Sequence, residues 1–366
     1  MTTTGASQNM FNSAYKGRSV FVTGQTGFKG SWLCLWLEHM GASVTAYALE
    51  PATDPNHFVL AGMKGNSLIG NVCDYDVLAN RMAQCRPEIV FHLAAQASVL
   101  YSYKNPLETF SSNVLGTANV LEACRRTPSV RAVVIITTDK CYENREWLWG
   151  YRENDALGGH DPYSASKACV ELVVSAFRRS FLSDSPVLVA SARAGNVIGG
   201  GDWTADRLVP DVMRATAKRE KVIIRNPDSV RPWQHVLEPL SGYLLLGQLL
   251  FEGKRELAQA WNFGPDEESH MNVLSVVKNI QKYWPEVAYE ISSATTKPHE
   301  AGLLNLDCSK AKEMLNWKPV WGCDAMLEKT ALWYKTFYGS NKIKSIDDIL
   351  CYITDAKRKH VVWAGK

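Results

Sequence analysis

Three short stretches of this 366-residue chain carry side chains that could do chemistry together. In "YSASK", Tyr163 and Lys167 stand four apart, so on a helix they share one face. A nearby ammonium favours the phenolate and lowers the tyrosine pKa toward that of a useful general base. In "VVIITTDKCYEN", Val133 to Asn144, an apolar and largely β-branched run turns at once into Thr137, Thr138, Asp139 and Lys140. An ordinary polar turn would explain those four residues. The alternative is a strand end that offers hydroxyls, an acid and an amine to one spot, as the carboxyl ends of parallel strands do in α/β enzymes. In "VFVTGQTGFKGSWL", Gly24, Gly27 and Gly30 follow a strand-like run and open a helix-like one. Glycines let backbone N–H groups approach a pyrophosphate, and a helix N-terminus adds partial positive charge. The G-x-x-G-x-x-G spacing in that setting reads as a dinucleotide cradle. Glu50 lies 20 residues past Gly30, where an acid can bind ribose hydroxyls. Around it "ALEPATDP" holds no Arg or Lys for a 2′-phosphate, which favours NAD over NADP.

The elements that must position these groups follow from periodicity. "RSVFVTG", "SVTAYAL", "EIVFHLAA", "VRAVVIITT" and "PVLVASARAG" read as strands. "SWLCLWLEHMG", "DYDVLANRMAQCRP", "NVLGTANVLEACRRT" and "PYSASKACVELVVSAFRRSF" read as helices between them. This alternation predicts an α/β fold, a doubly wound parallel (Rossmann) sheet over residues 15–194. Beyond Gly195 the rhythm breaks. Residues 195–234 and 266–360 read as a smaller C-terminal α/β lobe that binds substrate, while 235–265 returns to the first domain. The N-terminus, "MTTTGASQNMFNSAYKGRSV", lacks an apolar core and reads as a short disordered lead, not a secretory signal.

Composition narrows the function class. With 46% hydrophobic and 21% charged residues the chain is globular. A net charge of +3 gives no reason to expect nucleic acid or an anionic membrane as partner. Nine cysteines, an odd number without a C-x-x-C pair, suit reduced thiols in the cytoplasm. No H-E-x-x-H or other dense ligand spacing appears, so no metal is expected. His92, in "VFHLAA", reads as a packed structural residue or a neighbour of cofactor. A second Y-x-x-x-K, Tyr338 with Lys342, reads as a decoy on a surface helix. The twelve tryptophans read as core and lobe-interface packing.

T-G-x-x-G-x-x-G, "HLAAQ", a strand ending in "TTDK" and "YSASK" together resemble the extended short-chain dehydrogenase/reductase superfamily. Within it, "TTDKCYEN", "RAGNVIGGGDWTADRLVPD" and "RPWQHVLEPLSGYL" are similar to the CDP-glucose 4,6-dehydratases, along nearly the whole chain from Tyr15. The resemblance implies a cytoplasmic, homodimeric, NAD-dependent lyase that makes a 4-keto-6-deoxy sugar nucleotide, a lipopolysaccharide (O-antigen) precursor, from CDP-glucose. It assigns cofactor contacts to Gly24, Thr26, Gly27, Phe28, Gly30, Glu50, Asn71, Val72, Leu93, Ala94, Ala95, Tyr163 and Lys167. It makes Tyr163 the base at the sugar 4-hydroxyl, Lys167 its partner and Thr138 a shared hydrogen-bond partner. Asp139 becomes the acid at the departing 6-hydroxyl. Lys140 stands where related dTDP-glucose enzymes carry Glu; it reads either as a neutral base at carbon 5 or as a charged group stabilising the enolate. Asn196, Arg207, Arg231 and His235 are assigned to the sugar nucleotide. Asn71 replaces an Asp common in the superfamily and keeps hydrogen bonding without the charge. Two rivals are a sugar-nucleotide 4-epimerase, which has no need of Asp139, and a non-catalytic dinucleotide sensor, which would be free to lose Tyr163 or Lys167.

Overall fold

The strand-forming runs condense into one seven-stranded sheet in the computed structural model, which describes residues 9–63, 65–292 and 303–365. Six strands come first along the chain: β1 (Ser19–Thr23), β2 (Ser43–Ala48), β3 (Asn66–Ile69), β4 (Ile89–His92), β5 (Ala132–Ile136) and β6 (Leu188–Arg193). The seventh, Ala260–Asn262, pairs with β6. The order is Ala260–Asn262, β6, β5, β4, β1, β2, β3, and every pairing is parallel. Strand order therefore reverses between β1 and β4, which opens a crevice at their carboxyl ends.

A strand buried on both faces needs apolar residues at every position. In β5, Val134 and Ile136 join one core with the Phe28–His39 and Leu237–Phe251 helices. Val133 and Ile135 join the opposite core with the Tyr75–Cys85, Gly116–Arg126 and Pro162–Ser180 helices. β3 escapes sequence reading because it is a polar edge: its four residues are largely exposed, and it is held by backbone pairing to β2 with only Leu68 packed on the core.

After β6 the chain builds three two-stranded sheets: 197–198 with 234–235, 230–232 with 270–272, and 221–224 with 288–291. Around them lie the helices Leu208–Ala217, Val273–Tyr283, Ser309–Leu315 and Cys323–Ser340. The last helix, Ser345–Arg358, and Trp363 behave differently from the expected lobe. They pack on the first helix, with Trp36 meeting Tyr352 at 5.7 Å and Trp363 at 5.6 Å between ring centroids.

Two further expectations are corrected. The N-terminal lead is ordered from Asn9 onward; Met10, Phe11 and Tyr15 are buried, and Phe11 stacks on Trp363 at 5.1 Å. Residues 1–8 lie outside the described residues. Tyr338 and Lys342 do not share a helix. The helix stops at Ser340, and Asn341 turns left-handed at φ 55° before Lys342. Trp333, Tyr334 and Phe337 form the buried face of that helix, while Tyr338 is exposed.

Candidate active site

Consecutive strand ends deliver the expected residues to one edge of the sheet. Gly24 follows β1, Glu50 β2, Asn71 and Val72 β3, Leu93 to Ala95 β4, Thr138 to Lys140 β5, and Asn196 β6. Parallel pairing makes this arrangement unavoidable: all carboxyl ends lie on the same edge.

The glycine turn has the geometry of a cradle. Gly24 sits at φ 83°, and a Cβ there would come within 2.6 Å of the Ala94 nitrogen. Only glycine lets the turn and the "HLAA" segment meet this closely. A Cβ on Gly30 would lie 2.0 Å from the Gly24 carbonyl oxygen, so the third glycine seats the Phe28–His39 helix against the turn. Gly27 caps that helix and is exposed, leaving the helix N-terminus open to an anion. Thr26 Oγ1 donates to the Leu49 carbonyl at 3.0 Å and ties the turn to the end of β2. Phe28 is half-buried beside Gly199. Glu50 is exposed just past β2. Asn71 is exposed too; its Oδ1 accepts from the Cys73 N–H at 2.9 Å, and its carbonyl accepts from the Tyr47 hydroxyl at 3.1 Å.

The reactive cluster lies between β5 and the Pro162–Ser180 helix. Asp161 caps this helix through its bond from Ser164 N–H at 2.9 Å, and Pro162 opens it. Tyr163 and Lys167 then fall on one face, both buried. Thr138 is still in extended backbone; its hydroxyl donates to Asp139 Oδ1 at 2.9 Å and accepts from the Lys140 N–H at 3.3 Å. Asp139 is 2% exposed, and its Oδ2 has no hydrogen-bond partner. Gly195 leaves it room: a Cβ there would lie 1.8 Å from that oxygen. Lys140 is half-buried, and its ammonium has no hydrogen bond or ion pair among the described residues.

Electrostatics correct one expectation. Burial pushes the Tyr163 phenol up to about 12, against the opposing pull of a hydrogen bond with Thr138 and the charge of Arg207. The Lys167 ammonium donates to the Ile136 carbonyl at 3.3 Å. Burial brings Lys167 itself down to about 8, with Glu171 and Cys141 pulling the other way. His92 fits its structural reading: its ring nitrogens meet Thr23 Oγ1 at 2.7 Å and Thr117 Oγ1 at 3.0 Å.

The residues assigned to the sugar nucleotide divide. Arg207 pairs with Asp202 at 2.9 Å, yet its charge still reaches Tyr163 and Lys29. Asn196 holds a left-handed φ of 48° beside Gly195. Arg231 is buried in the 230–232 strand and donates to the Val230 carbonyl at 2.8 Å. His235 is a correction. It is fully buried, edge-on to Trp321 at 4.8 Å and Trp32 at 5.9 Å, and burial holds its pKa down at about 3. Aromatic packing encloses this ring and leaves it no face for a substrate.

Three residues of the site escape sequence reading. Lys29, inside the glycine stretch, places its ammonium 5.8 Å from the centre of the Tyr243 ring. Burial, then the charges of Lys167 and Arg207, lower its pKa to about 7. Tyr243 is fully buried with an unpartnered hydroxyl, and the charges of Tyr163 and Asp139 bear on it. Gly195 is the third. The lysine in "GFKG" was the one available signal, since a cation beside a cradle for phosphate is unusual in an otherwise apolar helix start. Among the described residues no group of His, Cys, Asp or Glu is arranged to hold a metal.

Comparison with known proteins agrees with this geometry. A CDP-glucose 4,6-dehydratase of Salmonella typhimurium is 48% identical over 92% of this chain and 94% of its own length. Among solved structures, a UDP-glucose 4-epimerase from Stenotrophomonas maltophila with bound NAD superposes with a TM-score of 0.77 at 22% identity, covering 88% of this chain and 99% of that one. A dTDP-glucose 4,6-dehydratase from Bacillus anthracis in complex with NAD gives 0.74 at 19% identity, covering 88% and 98%. At those identities the two structures speak for the fold alone. The model of the GDP-mannose 4,6 dehydratase family matches residues 21–330, and with the Salmonella relative it establishes that this chain belongs to that family, within the extended short-chain dehydrogenases/reductases.

Proposed function

We propose that this protein converts CDP-glucose to CDP-4-keto-6-deoxyglucose and water, with NAD as a cofactor regenerated in every cycle. The observation that carries the reading is the buried Asp139 beside Thr138, at the strand end that faces Tyr163. An epimerase has no use for an acid there; a dehydratase does. The nucleotide base rests on the 48% identity to the Salmonella enzyme.

The glycine turn fits a dinucleotide. Gly24, Thr26, Gly27, Phe28 and Gly30 would hold the pyrophosphate, Glu50 the adenosine ribose, Asn71 and Val72 the adenine, and Leu93 to Ala95 the floor of the cleft. Tyr163 and Lys167 would meet the nicotinamide ribose. NAD held there would supply the hydride chemistry, as acceptor for carbon 4 and donor for carbon 6. Tyr163 takes the 4-hydroxyl proton, and the ketone so formed acidifies the proton on carbon 5. Asp139 protonates the departing 6-hydroxyl. Lys140, without an ion pair among the described residues, either takes the carbon 5 proton or stabilises the enolate. Arg207, Arg231 and Asn196 bind the nucleotide diphosphate and sugar, a task that suits the fork of a guanidinium.

Two finer points belong to the same reading. Leu107, Leu115 and Leu172 are 84%, 53% and 59% exposed on or beside the helices that flank the reactive cluster, and an apolar face of this kind supports a homodimer. Nine free cysteines suit the reducing cytoplasm. The direct test is turnover on CDP-, dTDP-, UDP- and GDP-glucose, scored for a 4-keto-6-deoxy product. The expected result is a clear preference for CDP-glucose. A preference for another base, or a 4-epimer as product, would overturn the proposal.

A further inference from the structure

The residues assigned to elimination, Asp139 and Lys140, lie on one short turn, and a single buried ion pair holds both ends of that turn. Thr137 precedes it and Tyr142 follows it. The Thr137 hydroxyl donates to Glu171, and its N–H donates to the Ala192 carbonyl at 2.9 Å. The Tyr142 hydroxyl accepts from Arg193 Nη1 at 2.7 Å and donates to Asn262 Oδ1 at 2.8 Å. Glu171 and Arg193 pair with each other at 2.9 Å, their side chains 2% and 3% exposed. Between these anchors the turn has little of its own to hold it. Its backbone bonds, from Cys141 N–H to the Thr138 carbonyl and from Tyr142 N–H to the Asp139 carbonyl, are long at 3.3 and 3.4 Å. One outside tie, from Gly158 N–H to the Cys141 carbonyl at 2.9 Å, comes from an irregular loop.

The same ion pair is tied to the base. Glu171 rides on the Pro162–Ser180 helix, four residues beyond Lys167 and eight beyond Tyr163, so the three share one face. Ser191, on β6, donates to Glu171 Oε2 at 2.7 Å. Both Glu171 oxygens and both terminal nitrogens of Arg193 are therefore engaged, and Nη1 also reaches the Glu153 carbonyl at 3.1 Å. A guanidinium can hold two directions at once because its donors form a rigid planar fork; a lysine ammonium offers no such fork. Oxidation at carbon 4 uses Tyr163 and Lys167, which the helix and its Asp161 cap position. Elimination uses the turn. Both sets must address one sugar.

We propose that Glu171 and Arg193 are positioning residues whose ion pair sets the turn of Thr138, Asp139 and Lys140 against the helix of Tyr163, so that elimination follows oxidation on the same bound sugar. The inference rests on the dehydratase reading above. Glu171 acts through Thr137 and Arg193 through Tyr142; neither acts on the sugar directly. Loosening either end of the turn moves Asp139 and Lys140 while Tyr163 and Lys167 stay where the helix puts them. Elimination is then the step that suffers.

Single-turnover absorbance measurements on the full-length, NAD-loaded protein with CDP-glucose, made well below each variant's thermal midpoint, test this. Thr137→Val removes the bond to Glu171 and keeps the shape. Arg193→Lys keeps the charge but cannot reach Glu171 and Tyr142 together. Both should oxidise carbon 4 near the wild-type rate and eliminate water roughly 10–10²-fold more slowly, the scale of a small misplacement of a catalytic group. NADH should therefore build up to a larger transient than in wild type, with KM for CDP-glucose unmoved. Thr137→Ser should restore the wild-type trace. If Arg193→Lys does not fold, Tyr142→Phe removes the same bond while the ring keeps its stacking on Tyr151 at 5.1 Å, and it should give the same transient. Variants that lose thermal stability without a larger NADH transient, or that slow oxidation and elimination equally, would overturn the proposal and leave the pair a structural brace. A wild type that makes no 4-keto-6-deoxy product from any sugar nucleotide would instead sink the dehydratase reading itself.

Discussion

Thr137 and Thr138 have identical side chains and adjacent positions, yet they belong to two different regions. Thr137 continues the alternation of Val133 and Ile135 toward the Pro162–Ser180 helix. There it donates to Glu171, which also accepts from Ser191 at 2.7 Å and from Arg193 at 2.9 Å. Arg193 reaches on to the Tyr142 hydroxyl at 2.7 Å, which in turn meets Asn262 at 2.8 Å. In that network Arg193 Nε alone lacks a partner. Thr138 leads instead to Asp139 Oδ2 and the Tyr243 hydroxyl, both buried and both without one. A buried polar group left unpaired costs free energy. The satisfied side therefore reads as the brace that joins β5, β6 and the long helix. The unsatisfied side reads as the place where a ligand completes the bonding.

Substitutions can break this contrast, and the largest effect should fall on the unsatisfied side. Tyr163→Phe removes the proposed base and should cut turnover by about 10²–10⁴-fold, while the thermal midpoint stays near that of wild type. A variant that keeps its rate would remove Tyr163 from the chemistry. On the braced side, Glu171→Gln leaves the Arg193 guanidinium, 3% exposed, without its counter-charge. Losing one partner of a buried ion pair should cost about 3–5 kcal/mol of stability, measurable by urea unfolding. A loss below about 1 kcal/mol, the scale of an exposed pair, would mean that the brace is weak.

A pH-dependent effect sharpens the comparison, because Asp348 is also orphaned but lies outside the cleft. Both its oxygens lack partners, and burial, opposed by Lys329 and Lys344, raises its pKa to about 7. The folded value lies above the unfolded one. Its contribution to stability is thus complete below the ordinary carboxylate value and is lost as pH rises through about 7. Across that window stability should fall by up to about 1.4 kcal/mol per pH unit. Asp348→Asn should flatten the profile of thermal midpoint against pH between 4 and 7. An unchanged slope would show that Asp348 is ionised and paired in solution. An orphaned carboxyl alone does not mark chemistry; Asp139 is distinguished by its neighbours.

How much could be read in advance depended on how local each feature was. The glycine turn was legible because strand, turn and helix are contiguous, and the reason for each glycine lies within a few residues or in the next strand. Tyr163 and Lys167 were legible because helical spacing alone puts them on one face. β3 was not, since an exposed edge strand carries no apolar alternation to find. His235 misled: a polar residue in "RPWQH" looks available until Trp32 and Trp321 close over it from distant parts of the chain. Lys29 and Tyr243 were invisible as a pair, because only the packing of the Leu237–Phe251 helix against the sheet brings them together.

The sequence by itself determined the parallel sheet, the order in which its strand ends would bring motifs to one edge, and the residue types at each end. These depend on periodicity and on short-range sterics, which are written in neighbouring residues. Tertiary structure alone decided which of two threonines faces the cleft, that Asp139 is buried with one oxygen free, and that Tyr163 starts with a raised pKa. Each of these depends on what surrounds a group once the chain has closed. Desolvation and the field of remote charges act through space, and no spacing along the chain encodes them.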